Sequence, residues 1–150
     1  MKMNSLKQQD KILLKKISLE KFFKDCSDTL LMSVANPEIP LSNIYLKNKY
    51  IGRPGLALSG YFELYQPFRV LVFGNSEWSY LSTLDDNRLK KCLTKLIEFK
   101  MPCFVFSNNN HVRKEQMEII SVFSIPIFIS QLNTDQLVHK ITAYLWRELS

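Results

Sequence analysis

The segment 53–62 has the residue types and spacing closest to a catalytic motif. Gly55 and Gly60 are separated by four residues, as in the phosphate-binding loop G-x-x-x-x-G-K-[S/T]. In that loop the lysine neutralises phosphate charge and the hydroxyl holds magnesium. Here two aromatic residues follow Gly60, so both chemical groups are missing. Because Pro54 suits the first turn of a helix, the segment predicts a short packing helix rather than a nucleotide site.

The other reactive residue types form no recognisable catalytic or metal-binding pattern. The two histidines, His111 and His139, have no serine or cysteine nearby in a triad-like arrangement. The three cysteines are an odd number and lack the spacing of a zinc site. Asp85 and Asp86 are better explained as caps of the helix that follows them. The residues alone therefore predict no catalytic residue, no cofactor-binding residue and no metal ligand.

The elements that must position any site in the chain are indicated by three short apolar runs: 70–73, 103–106 and 125–129. Runs without alternation are typical of strands buried on both faces of a sheet. An amphipathic helical pattern follows each run, with Asp85 or Asp86 and Asn133 as predicted caps. This order predicts an α/β fold in three layers, a parallel or mixed sheet with helices on both faces. Nearer the N-terminus we expect strands at 29–34 and 44–46, and helical pieces over 12–23 with Ser18 as a cap.

Polar residues follow the carboxyl ends of the predicted strands, where ligands bind in open α/β sheets. These ends could converge on a small polar ligand. Asparagine and serine also form turns and cap helices at such positions, and this alternative stays open. The candidate ligand or interface residues are Arg53, Asn75, Ser76, Glu77, Asn108, Asn109 and Asn110.

Composition and charge restrict the class of protein. The 150 residues, 46% of them hydrophobic, suit one globular domain. No apolar run approaches the roughly 20 residues of a membrane span, and neither a secretory signal nor a disulfide framework is evident, so we expect a cytoplasmic protein without a membrane partner.

The net charge of +6 is concentrated near the N-terminus, where residues 1–24 carry seven lysines against Asp10 and Glu20. We interpret this region as a solvated helix face or a frayed terminus. An acidic partner is the alternative, and a nucleic-acid partner is not expected. The predicted division is a basic, partly helical N-terminal region over 1–38 and an α/β domain over 39–150.

The segment 53–62, RPGLALSGYF, also resembles the R-P-G-L-x-L-x-G-Y-F signature of the HPr(Ser) kinase/phosphorylase N-terminal domain. The resemblance continues in register: 69–74 is similar to the family's R-[IV]-Q-[VL]-[FL]-G strand, and 77–81 resembles its E-x-S-[FY]-L. It extends from about Ile39 to Leu149, and residues 1–38 do not match clearly. The fold it implies resembles the first domain of Mur ligases.

The resemblance implies a function in bacterial carbon catabolite repression. Family members are cytoplasmic hexamers that phosphorylate a serine of HPr, the phosphocarrier protein of the sugar phosphotransferase system, and remove the phosphate by phosphorolysis. HPr and a homo-oligomer are thus the implied partners, with HPr bound through a C-terminal catalytic domain that this chain lacks. ATP and magnesium are implied only for the full-length protein, and no cofactor is expected in this chain.

The chain stops at Ser150, about where the linker to the catalytic domain of the family begins. The resemblance therefore implies a non-catalytic N-terminal regulatory or assembly domain of a serine kinase/phosphorylase. Two alternatives from other functional classes are a free-standing domain that binds a small ligand and a protein-interaction domain that uses the basic N-terminal region.

Overall fold

A four-stranded mixed sheet organises residues 15–63 and 65–150, the part of the chain that this computed structural model describes. In chain order the elements are β1 (Ile17–Ser18), α1 (Leu19–Cys26), β2 (Met32–Val34), β3 (Tyr45–Leu46), α2 (Gly55–Leu58), β4 (Leu71–Phe73), α3 (Asn75–Thr83), α4 (Asp86–Glu98), β5 (Phe104–Phe106), α5 (Lys114–Val122), β6 (Ile127–Ser130) and α6 (Thr134–Leu149). The strand order is β2-β6-β5-β4, with β1 and β3 forming a separate antiparallel pair.

Strands β4, β5 and β6 are parallel, and β2 pairs antiparallel with β6. Alternate residues of the parallel strands face opposite layers, as the pleat requires. One face packs on helices α2 to α5 and the other on α1 and α6. The residues on the first face are Leu71, Phe73, Phe104, Phe106, Ile127 and Ile129. The predicted three-layer α/β fold with a mixed sheet is confirmed.

Three helices begin at the capping residues that the sequence predicts. The side-chain oxygens of Ser18, Asp85 and Asn133 accept hydrogen bonds from the backbone N–H three residues on, at 3.0, 2.8 and 2.9 Å. Each cap satisfies a donor that the first helical turn would otherwise leave unpaired. None of the helices in the described ranges is long and apolar enough to cross a membrane.

The structure differs from the predicted elements in the N-terminal third and after β4. Residues 17–18 form β1 rather than helix, residues 12–14 lie outside the described ranges, and the strand predicted at 29–34 is confined to Met32–Val34. Turns occupy 27–31, where Leu31 has a positive φ of 46°. The sequence analysis missed α3, whose apolar residues are too few to form a long stripe.

The predicted division at residue 38 does not coincide with a break in the packing. Phe22 of α1 is fully buried, and its ring centroid lies 6.0 Å from that of Phe128 in β6 and 5.7 Å from that of Tyr144 in α6. The buried Asn36 side chain accepts a hydrogen bond from the Ile127 N–H at 2.8 Å. The described part of the N-terminal region therefore belongs to the same three-layer unit.

Candidate functional site

The carboxyl ends of the parallel strands open onto one edge of the sheet. Gly52 lies beside β4, the outermost strand, and forms a parallel bridge with its residue Leu71. The Gly52 N–H donates to the Val70 carbonyl at 2.8 Å, and the Gly52 carbonyl accepts from the Val72 N–H at 2.9 Å. As a result, Arg53 leaves the sheet at the same edge as the residues that follow β4. A one-residue bridge carries no periodicity, so the sequence could not predict it.

Arg53 forms a bidentate ion pair with Glu77 of α3. Its Nε donates to Oε1 at 3.0 Å, and its Nη2 donates to both carboxylate oxygens, with 3.0 Å to Oε2. Glu77 is buried, whereas the Arg53 side chain is 46% exposed. The same carboxylate accepts from the Gly74 N–H at 3.3 Å and so caps α3. Glu77 thereby connects segment 53–62 to the turn between β4 and α3.

Gly74 lies where three parts of the chain meet at this edge. A Cβ added to Gly74 would lie 2.8 Å from Nη2 of Arg53 and 3.2 Å from Cγ2 and Oγ1 of Thr134, the first residue of α6. Real Cβ atoms essentially never approach other atoms to 2.8 Å. Glycine at this position therefore lets the Arg53 guanidinium and the start of α6 approach the end of β4 closely.

Three of the predicted asparagines contact one another. Asn75 Oδ1 accepts from Asn108 Nδ2 at 3.1 Å and from Asn110 Nδ2 at 2.8 Å. Asn108 and Asn109 have φ values of 56° and 54°, in the left-handed region that asparagine tolerates better than most residues. Two of these amides donate to the third, and the left-handed backbone at Asn108 and Asn109 favours the turn-forming alternative. A ligand role for them stays a prediction.

The two remaining candidates lie beside this cluster but contribute no side-chain hydrogen bond to it. Ser76 is exposed in the first turn of α3. Asn109 is exposed and holds its loop through its backbone N–H, which donates to the Ser130 carbonyl at 2.8 Å. Within residues 15–63 and 65–150, no group of three or more His, Cys, Asp or Glu side chains could hold a metal ion.

A cavity of about 150 Å³ adjoins Arg53, and the sequence analysis did not anticipate it. Segment 53–62 forms much of its wall, and the rest is formed by Gly52, Tyr65, Gln66 and Arg69. Arg69 Nε is buried without a hydrogen-bond partner. Arg69 precedes the β4 strand in the sequence, and an arginine directly before a buried strand was the available signal. Its position next to Arg53 depends on the Gly52 bridge.

Segment 53–62 itself has the packing role that its sequence predicts. Its helix, α2, is only four residues long, and Ala57 and Leu58 are buried against the first face of the sheet. Gly60 has a positive φ of 98° and ends the segment's helical turns. The segment is therefore built as a packing element and a cavity wall.

Comparison with known proteins identifies a family. The family model described as "HPr Serine kinase N terminus" matches residues 17–145. The HPr kinase/phosphorylase of Lactobacillus delbrueckii subsp. bulgaricus is 35% identical over 133 residues, covering 86% of this chain and 40% of that protein. That of Chlorobaculum tepidum is 34% identical over 98 residues, covering 65% of this chain and 29% of that protein. The chain thus spans less than half the length of these relatives.

A solved structure is also similar in part. The CBS and DRTGG domains of the regulatory region of Clostridium perfringens pyrophosphatase, complexed with diadenosine tetraphosphate, match with a TM-score of 0.49 and 14% identity. The match covers 79% of this chain and 45% of that chain, and it is too weak to support an argument.

The family match begins at Ile17, well before Ile39, where the resemblance read from the sequence begins. This earlier start agrees with the packing, because α1 and β2 are parts of the same core. With 17–145 matched, the chain belongs to the HPr serine kinase N-terminus family.

Proposed function

We propose that this chain acts as the non-catalytic N-terminal domain of an HPr kinase/phosphorylase, with a regulatory or assembly role in carbon catabolite repression. The observation that carries the proposal is the match to the N-terminal family over 17–145, together with relatives named HPr kinase/phosphorylase that are more than twice as long as the matched region. The activity of such a protein would then reside in a part of it that this chain does not cover.

The roles of the most family-like residues support a non-catalytic domain. Ala57 and Leu58 of segment 53–62 are buried core residues, and Arg53 is paired with Glu77. The lysine and hydroxyl of a phosphate-binding loop do not follow Gly60. These residues thus stabilise the fold and offer no group for phosphoryl transfer.

The partners and the location belong to the same proposal. HPr would bind the catalytic domain, which would also hold ATP and magnesium, and the whole protein would work as a homo-oligomer in the cytoplasm. The exposed side chains of Leu56 and Tyr61, 65% and 45% accessible, are available for assembly contacts near the family signature.

A phosphotransfer assay tests the catalytic part of the proposal. The purified chain is incubated with HPr, ATP and magnesium, and phosphoserine-HPr is measured, with the Lactobacillus delbrueckii enzyme as the positive control. We expect no product above the sample without protein, because the chain lacks a phosphate-binding loop. Phosphotransfer by the chain, lost on heat denaturation, would contradict the proposal.

A domain exchange tests the regulatory or assembly role. The chain replaces the matching N-terminal part of the Lactobacillus delbrueckii enzyme, and the chimera is compared with the same enzyme lacking that part. We expect the chimera to recover oligomeric mass and effector-dependent activity that the truncated enzyme loses. Identical mass and activity of the truncated and intact enzymes would remove the basis for this role.

A further inference from the structure

The cavity beside segment 53–62 combines apolar walls with two arginines. Leu56, Tyr61 and Tyr65 are its apolar and aromatic lining residues, and Arg53 and Arg69 are its charged lining residues. Its volume of about 150 Å³ equals that of an engineered protein cavity that binds benzene. The space therefore suits a ligand about the size of one aromatic ring.

The two arginines differ in whether their charge is compensated. Arg53 is paired with the buried carboxylate of Glu77. Arg69 has no carboxylate within 4.0 Å among the described residues, and its guanidinium makes no hydrogen bond to them. The Arg69 guanidinium makes a cation–π contact with Tyr50, whose ring centroid lies 5.6 Å from Cζ of Arg69. Among the residues that the structure describes, Arg69 thus has no counter-charge.

The chemistry of the Arg69 side chain restricts the partner that it could bind. A guanidinium presents its donors in a planar fork that matches the oxygens of a carboxylate or phosphate. An oxyanion in the cavity would supply acceptors for this guanidinium and a counter-charge together.

We propose that the cavity between segment 53–62 and Arg69 binds a small organic oxyanion, a carboxylate or phosphate monoester on a planar apolar body. The oxyanion pairs with the Arg69 guanidinium, and the apolar body lies against Leu56 and Tyr61. The proposal goes beyond the regulatory or assembly role and does not depend on it.

An NMR titration of the ¹⁵N-labelled chain with four probes tests the proposal. Benzoate and phenyl phosphate carry both features and distinguish the two kinds of oxyanion, benzyl alcohol carries only the ring, and inorganic phosphate carries only the charge. We expect at least one aromatic oxyanion to bind about tenfold or more tightly than either single-feature probe, and to shift the side-chain resonances of Arg69.

Three variants locate the binding. Arg69→Gln removes the charge, and we expect it to weaken binding of the aromatic oxyanion about tenfold or more. Arg69→Lys keeps the charge without the fork and should weaken it less. The matched control is Lys90→Gln, which removes one exposed positive charge on α4 outside the cavity and should change affinity less than about twofold.

A fourth variant keeps the test decisive if Arg69→Gln does not fold. Leu56 is 65% exposed, so Leu56→Glu leaves the core intact while placing a negative charge in the cavity wall. This variant should weaken binding of the aromatic oxyanion and leave binding of benzyl alcohol nearly unaffected.

Four outcomes would each overturn the proposal. They are no binding by any probe, binding of benzyl alcohol as tight as that of the aromatic oxyanions, binding of inorganic phosphate as tight as theirs, and a loss of affinity in Lys90→Gln equal to that in Arg69→Gln. Because the readout is binding, these outcomes are independent of the phosphotransfer assay.

Discussion

At the residue scale, Arg53 and Glu77 couple the family signature to the sheet. Glu77 is a charged side chain in a buried position, and it is satisfied by Arg53 and by the Gly74 N–H together. Removing one partner of such a pair leaves the other with an incomplete set of hydrogen bonds. The sequence analysis selected both residues as candidates, and the structure brings them together as a structural pair.

We therefore expect Glu77→Gln to lower the free energy of unfolding by about 1–2 kcal/mol, a value moderated by the partial exposure of Arg53. The matched control is Glu98→Gln, which breaks an exposed pair with Lys95 at 3.6 Å and should cost less than about 0.5 kcal/mol. Urea unfolding of the three proteins measures both values. Equal losses in the two variants would show that the Arg53–Glu77 pair has no special role.

At the scale of the elements, α1 and β2 complete the sheet and its second layer. The sequence placed them in a separate N-terminal region because residues 1–24 are rich in lysine and residues 1–38 do not match the family signature clearly. The packing shows that the buried side of α1 contacts β6 and α6, while Lys21 and Lys24 are exposed on its other side. An amphipathic helix can thus be basic overall and still contribute core residues.

We expect Phe22→Ala to lower the free energy of unfolding by about 3–5 kcal/mol, because it empties a fully buried site between β6 and α6. Phe23→Ala is the control: this neighbouring ring is only half-buried, with its centroid 5.6 Å from that of Phe128, and should cost about 1–2 kcal/mol. Far-UV circular dichroism and tryptophan fluorescence should report one shared urea transition. Unfolding of α1 in a separate, earlier transition would contradict its place in the common core.

At the scale of the whole molecule, three free thiols are distributed across the core. Cys26 and Cys103 are on the second face of the sheet and Cys92 is on the first, and all three are buried. Burial disfavours the thiolate, so it raises the pKa of Cys92 from 9.0 to about 11 and that of Cys26 to about 12. Burial also raises the pKa of Cys103.

These shifts predict a loss of stability at high pH. A folded pKa above the unfolded pKa gives stability that is complete below the unfolded pKa and decreases as pH rises towards the folded value. We expect the free energy of unfolding to fall between about pH 9 and about pH 11, by up to about 1.4 kcal/mol per pH unit for each thiol. Cys92→Ala should show a smaller decrease over this range in reducing urea titrations. The same decrease in Cys92→Ala and the parent protein would rule out a contribution from Cys92.

Much of the fold was predictable because its signals are local. Continuous apolar runs indicated β4, β5 and β6, and helical spacing indicated α4 and α6. Ser18 and Asn133 were correctly identified as caps, and of the two predicted alternatives Asp85 and Asp86 the structure shows Asp85. Helix α3 was missed because its stripe is short, and the bridge at Gly52 was missed because one residue has no period. Residue type and sequence position identified the candidate residues, but they could not show which of these residues are in contact with one another.

The sequence by itself determined the three-layer α/β class, the helix starts and the family, since each depends on periodicity, capping chemistry or a contiguous signature. Only the tertiary structure decided that Arg53 meets Glu77, that Asn108 and Asn110 donate to Asn75, and that Arg69 lines a cavity beside the signature. These contacts join residues such as Arg53 and Glu77 or Asn75 and Asn110, which are 24 and 35 positions apart. Such separations are set by how parallel strands align at one edge of the sheet, and no local pattern encodes that alignment.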